Sequence, residues 1–247
     1  MEVRIILATV IVWEWFSTPA VGRIGLRRAE RVLAACDRVF GHRLMMDRIV
    51  PGGTEEVSPG GARGVLAMLE EIEKPFAEIV RTYDNTPSLQ DRTCKTGFVS
   101  RELVTQWAAG GHVGRASGRD FDCRRDFPYA PYRDVEFAVP VLTAGDVDAR
   151  VWIRIREIDQ SMRLIKGWLA DLPAGPTRVA LPNVEGACEG IAMTEAFRGD
   201  VLVWVRIVDG RIERCHARAI GQHVKRRAAV ALHTRCAKAR YDRAHLA

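Results

Sequence analysis

No two cysteines in this chain stand closer than Cys215 and Cys236, which are 236 − 215 = 21 residues apart. A CxxC pair is therefore absent, and with it the usual thiolate grip on zinc or a redox dithiol. Six cysteines in 247 residues make no disulfide framework either, so they read as reduced thiols. Long apolar runs are missing too. The run from Ile5 to Trp13 spans nine residues, and a membrane span needs roughly 20. Arg4 before it and small residues near Ala20 after it fit a signal peptide, but Glu2 and Glu14 flank the run and favour a buried helix or strand. The chain has no GxGxxG, no GxxxxGK followed by Ser or Thr, and no GxSxG nucleophile elbow.

What is present is ordinary for a globular protein: 47% hydrophobic and 28% charged residues, in a length that allows one large domain or two small ones. The net charge of +6 is unevenly placed. From Ala219 onward there are seven Lys or Arg and one acid, leaving 37 − 7 = 30 bases and 31 − 1 = 30 acids before it. A basic tail alone could touch nucleic acid or an anionic membrane, but the neutral body offers no matching patch, so a nucleic-acid partner is not expected. Cys215, His216, His223, His233 and Cys236 crowd this end without a zinc spacing; only His233 and Cys236 could be helical neighbours.

Apolar residues at helical spacing (Leu26, Ala29, Val32, Leu33, Cys36, Val39, Phe40, Leu44) predict a helix over 25–47, stopped by VPGG at 50–53. A second helix is expected from Ala62 to about Tyr83, with Pro75 kinking or restarting it. Ser100 should cap a short helix through Trp107. The longest stripe (Val151, Trp152, Ile155, Ile158, Met162, Ile165, Trp168, Leu172) predicts a helix over 148–172 with a core face. Beyond Asn183 the texture alternates, giving a β-hairpin turning at Asp209-Gly210, with room for a third strand. GGHVGRASG, Gly110 to Gly118, reads as a structural turn rather than a phosphate cradle. Glu55-Glu56 and Glu70-Glu71 read as solvated pairs, and His42 and His112 as lone histidines in loops or at helix ends.

The stretch SGRDFDCRRDFPYAPY (117–132) sets Asp122, Arg124, Arg125 and Asp126 among two prolines and two tyrosines. Guanidinium forks can hold two carboxylates, prolines lower the entropy lost on ordering, and Tyr129 and Tyr132 add aromatic faces. One reading is a rigid salt-bridged loop pinning helices to a following strand, EFAVPV; the other is direct substrate contact. The residues favour the first.

These motifs carry a family likeness. SGRDFDCRRDFPYAPYRDVEFAVPV followed by GDVDARVWIRIREIDQSMRLIKGWLADLPAGP resembles the D subunit of respiratory complex I (NADH-quinone oxidoreductase), its quinone-pocket large subunit. It is closer still to the large subunit of group 4 membrane-bound NiFe hydrogenases, the hydrogenase-4 and formate hydrogenlyase type. FGHRLMMDRIVPGG (Phe40–Gly53), YDNTPSLQDRTCKTGFVS (Tyr83–Ser100) and EGACEGIAMTEAFRGDVLVWVRIVDGRIERCHAR (Glu185–Arg218) match the same branch. The likeness runs from Ile24 to Arg218. It divides the chain into an N-terminal segment (1–23), a domain (24–218) and a basic tail (219–247), the tail and the start being expected products of displaced reading frames.

The resemblance implies an α+β fold, mainly antiparallel helices of the hydrogenase large subunit-like type with a small antiparallel β-hairpin region. It implies an oxidoreductase subunit, passing electrons to or from quinone or a NiFe centre in intact relatives. An iron–sulfur small subunit and membrane subunits are the implied partners. The implied location is cytoplasmic, peripheral on the inner face of the cell membrane. In the hydrogenase branch the metals are held by a CxxC near each end, and in the complex I branch the quinone histidine and tyrosine lie upstream of the matched part. Neither set is present, so the expectation is a catalytically incomplete chain, with no catalytic, metal or cofactor-binding residue of its own. A non-catalytic assembly or interaction protein is the alternative. Arg43, Gly52, Gly53, Arg115, Gly118, Arg124, Arg125, Asp126, Tyr129 and Tyr132 fall on family motif positions and are expected to be scaffold.

Overall fold

In the computed structural model the described residues are 22–56, 58–172, 175–181, 185–196 and 198–219. The segment 1–21 and the tail from 220, on which the signal-peptide, frame and His233–Cys236 expectations fall, lie outside them.

Helix α1 (Gly22–Phe40) buries Val32, Leu33, Cys36, Val39 and Phe40 along one stripe. It ends seven residues before the expected Asp47 because Gly41 takes a positive φ of 71° and returns its N–H to the Asp37 carbonyl at 2.7 Å. The next turn is organised by His42, whose Nδ1 accepts the Leu44 and Met46 N–H groups at 3.1 and 3.3 Å. Leu44, counted on the apolar stripe, is thereby turned to solvent. VPGG does more than stop a helix. Strands β1 (Ile49–Val50) and β2 (Gly53–Thr54) pair antiparallel across Pro51-Gly52. The segment 175–181 is tied to this ribbon: Val179 N–H donates to the Gly52 carbonyl and Thr54 N–H to the Thr177 carbonyl, at 2.9 and 3.0 Å.

Helix α2 (Gly61–Asp84) continues through Pro75 without restarting and sends Val65, Met68, Leu69, Ile72 and Phe76 into the core. Helix α3 (Pro87–Thr93), not foreseen from the sequence, starts on a proline at a position where the missing N–H costs nothing. Helix α4 (Arg101–Gln106) is capped as expected, Ser100 Oγ accepting the Leu103 N–H at 3.3 Å. Gly110 to Gly118 is not an open turn: it holds a buried helix, α5 (Gly111–Ala116). Its glycines are there for close approach. A methyl on Gly110 would fall on the Asp200 carboxylate, and one on Gly111, at φ +64°, would sit 2.6 Å from the Gly199 nitrogen. Helix α6 (Cys123–Asp126) and a 3₁₀ turn (Tyr132–Asp134) follow.

Helix α7 (Val147–Ala170) starts on an Asp146 cap that accepts the Ala149 N–H at 2.8 Å. It is buried on two faces. Ile158, Met162 and Ile165 join α1, α2 and Tyr132 in the main core, with Trp168 packed against it. Ala149 and Ile153 pack on Ala116 of α5. The second face is hidden from the periodicity because it carries Glu157 and Ser161, both buried. Leu172, placed on the stripe, is exposed beyond the helix end.

Strands β3 (Ala187–Ala196), β4 (Gly199–Val208) and β5 (Arg211–Ala219) form an antiparallel sheet in that order, so the third strand is present. β4 and β5 turn at Asp209-Gly210, both at positive φ. EFAVPV, expected to be a strand, joins neither sheet. Its continuation is fastened instead to α5, Leu142 N–H donating to the Arg115 carbonyl at 2.8 Å. The architecture is α+β with two small antiparallel sheets. Among the described residues no helix is long and apolar enough to cross a membrane.

Candidate functional site: a buried charge cluster between helices and sheet

The short helix α5 delivers Arg115 into the seam between α6, α7 and the base of the sheet. Its guanidinium is 3% exposed and reaches three carboxylates: Glu157 of α7, Glu195 of β3 at 2.9 Å and Asp122 at 3.2 Å. It also donates to the Phe121 carbonyl at 3.2 Å. Arg124 meets Asp122 with a two-point fork, Nε to Oδ1 at 2.9 Å and Nη2 to Oδ2 at 2.6 Å, and lies 4.0 Å from Glu157. Such paired geometry recovers much of the cost of taking both charges out of water. Arg124 is further covered by the rings of Tyr132 and Phe137, at 5.8 and 5.4 Å from their centroids.

Burial alone would raise the Asp122 carboxyl, but Arg124 and Arg115 outweigh it and hold it below the usual range. Burial would lower both arginines, yet the acids around them push them up. Glu195 goes the other way: burial dominates and lifts it to about 7, Arg115 only partly opposing. Its Oε2 accepts the Cys123 N–H at 3.2 Å, and its own N–H donates to the Tyr129 hydroxyl at 3.4 Å. On β4, directly across from Glu195, Asp200 is also raised by burial.

The motif residues thus separate. Arg115, Arg124, Tyr129 and Tyr132 converge on the cluster. Gly118 closes α5 at φ +83°, its N–H donating to the Arg115 carbonyl at 3.4 Å. Arg125 and Asp126 do not join Arg124 in one clamp: they pair with each other at 2.8 Å nearer the surface, Arg125 also holding Asp120 at 2.7 Å. Gly52 and Gly53 belong to the β1–β2 ribbon, and Arg43 pairs with Glu30 in solvent at 2.9 Å. Sequence reasoning misses Glu157 and Glu195, although an acid on the inner stripe of α7, between Ile153 and Ser161, is a legible anomaly. His112 is not a loop residue: it is buried in α5 with Nε2 2.9 Å from Arg154.

Among the described residues no three His, Cys, Asp or Glu side chains are grouped so as to hold a metal ion. Burial pushes the Cys36 thiol up to about 11, and the Cys123 thiol up as well, where Glu195 adds to the effect. Cys94, Cys188 and Cys215 are exposed and scattered. These donors do not fit a nickel–iron centre, which needs clustered thiolates.

Residues 18–216 match the family described as respiratory-chain NADH dehydrogenase, 49 Kd subunit. The carbon monoxide-induced hydrogenase of Rhodospirillum rubrum is 31% identical over 69% of this chain and 48% of its own length. The D subunit of NADH-quinone oxidoreductase from Paramagnetospirillum magneticum is 31% identical over 63% of this chain and 40% of its own. A solved structure of the membrane-bound sulfane sulfur reductase, an archaeal respiratory membrane complex, shares the fold with a TM-score of 0.74 at 24% identity, over 86% of this chain and 60% of that one. The chain spans about half or less of the length of these curated relatives. With the family match covering most of its residues, the chain belongs to the respiratory-chain NADH dehydrogenase 49 Kd subunit family.

Proposed function

We propose that this chain is the framework part of a large subunit in a membrane-attached oxidoreductase complex, whose longer relatives exchange electrons with quinone or a NiFe centre. The observation that carries this reading is the convergence of the family motif residues Arg115, Arg124, Tyr129 and Tyr132 on one dry, charge-paired seam. That is a scaffold's use of such residues. No substrate contact follows from it, and these 247 residues contain no CxxC pair. The helices are those of the hydrogenase large subunit-like type, and the partners are an iron–sulfur small subunit and membrane subunits at the inner face. The names of the relatives, a hydrogenase and a quinone oxidoreductase subunit, support this reading.

One observation favours a second reading, a non-catalytic interaction protein: most of the sheet stands clear of the body, with Ile191 and Ile212 each 68% exposed. Co-expression with the small and membrane subunits of the same locus separates the two. Stoichiometric co-purification with turnover that depends on this chain supports the oxidoreductase reading. Co-purification without turnover supports the interaction reading, and failure to co-purify overturns both.

A further inference from the structure

The sheet is seated on the helical body at one end, where Glu195 of β3 enters the seam and Asp200, its partner on β4, lies against Gly110 beside it. Charge counting in that seam does not balance. Two guanidiniums, Arg115 and Arg124, face three carboxylates, Asp122, Glu157 and Glu195, all at most 9% exposed. Arg124 gives Asp122 its two-point fork, and Arg115 is bonded to Glu157. Glu195 is left with one guanidinium nitrogen, which Asp122 shares, and the Cys123 N–H. A surplus negative charge in a dry site is removed most cheaply by binding a proton. Of the five groups, only Glu195 rides on the sheet.

We propose that Glu195 is a proton-operated latch: the protonated side chain lets the sheet seat against the helices, and loss of the proton loosens that seat. The groups facing it come from every element packed there. Arg115 approaches from α5, Cys123, Asp122 and Arg124 from the α6 segment, Tyr129 and Tyr132 from the loop after it, Glu157 from α7, and Asp200 from β4. Neither tyrosine adds to the surplus by ionising, since burial raises both and keeps them neutral. Asp200, also raised, adds no positive charge. The latch therefore works near neutral pH, where burial has placed Glu195. This inference holds whichever complex the chain joins.

The test is hydrogen exchange on the full chain from pH 5 to 8, read at peptides containing Cys123 and Glu195 and corrected for the intrinsic pH dependence of exchange. The opening constant of the seam should rise by up to tenfold per pH unit between pH 5 and 7, the limit for release of one proton, and level off above. In Glu195→Gln it should stay flat. A flat wild-type profile, or the same slope in E195Q, overturns the proposal. Should E195Q fail to fold, infrared spectroscopy of the unaltered chain decides: a neutral carboxyl band present at pH 6 and gone by pH 8.5, and retained in Asp200→Asn, is expected. Its absence at pH 6 in the wild type, or its loss in D200N, overturns the latch.

Discussion

Replacing Arg115 by methionine keeps most of the side-chain volume and removes the charge that three carboxylates share. Arg124 would then face Asp122, Glu157 and Glu195 alone, so the seam's surplus goes from one negative charge to two. The cheapest relief is uptake of one more proton. At pH 7, protonating a carboxyl whose ordinary value is 4.5 costs about (7 − 4.5) × 1.36, or roughly 3.4 kcal/mol. Leaving the Phe121 carbonyl without its donor adds about 1 kcal/mol. The expected loss is thus about 4 kcal/mol, a large share of the roughly 5–15 kcal/mol that holds a domain together.

The sign follows from linkage. A carboxyl raised in the folded state favours folding below its unfolded value and loses that advantage as pH rises toward its folded value. At pH 5 the extra proton costs only about 0.7 kcal/mol, so the R115M penalty should shrink to about 2 kcal/mol. Urea unfolding of both proteins at pH 7 and pH 5, followed by circular dichroism, measures this. A penalty under about 1.5 kcal/mol at pH 7, or one equal at the two pH values, refutes the charge accounting.

Arg43 occupies a family motif position but pairs with Glu30 in solvent, so Arg43→Ala should change stability by less than about 0.5 kcal/mol in the same assay. Gly111→Ala forces a side chain into a positive-φ site against the Gly199 backbone and should lower stability by about 2–4 kcal/mol, read as a fall in melting temperature. Thiol labelling with peptide mapping should modify Cys94, Cys188 and Cys215 within minutes while Cys36 and Cys123 resist until the chain unfolds. Rapid native-state labelling of Cys123 would mean that the seam is open to water.

Helices with a single apolar stripe are legible because one face meets one core. α2 comes within a residue of its expected bounds, and the Ser100 and Asp209-Gly210 signals act through local backbone geometry that needs no tertiary context. Legibility fails where contacts come from far along the chain. α5 looks like a turn because Gly110 and Gly111 answer to β4, more than eighty residues away, while Gly114 makes room for the Ala109 carbonyl close by. Glu157 hides on α7 because the second buried face is partly polar, so hydrophobic spacing passes over it. Of the salt-bridged loop, Arg125 and Asp126 pair but Arg124 does not join them, because adjacency in sequence says nothing about which carboxylate a guanidinium fork can reach. Here it reaches back to Asp122, which also caps α6.

The two joints of this fold do different work. Apolar contacts among α1, α2 and α7 stabilise without fixing register, since leucine and isoleucine stripes tolerate small slides. A β-strand has no such tolerance, because a shift of one residue turns every side chain to the opposite face. Slipping β3 by one position would swing Glu195 out of the seam and present Thr194 or Ala196 to Arg115, leaving a buried guanidinium short of a partner. An apolar seam of the same volume could be as stable, yet it would discriminate less between neighbouring registers. The charge cluster is therefore best understood as the element that selects one seating of the sheet. That selection is strongest when one of the three acids carries a proton, because only then do the charges it compares sum to zero.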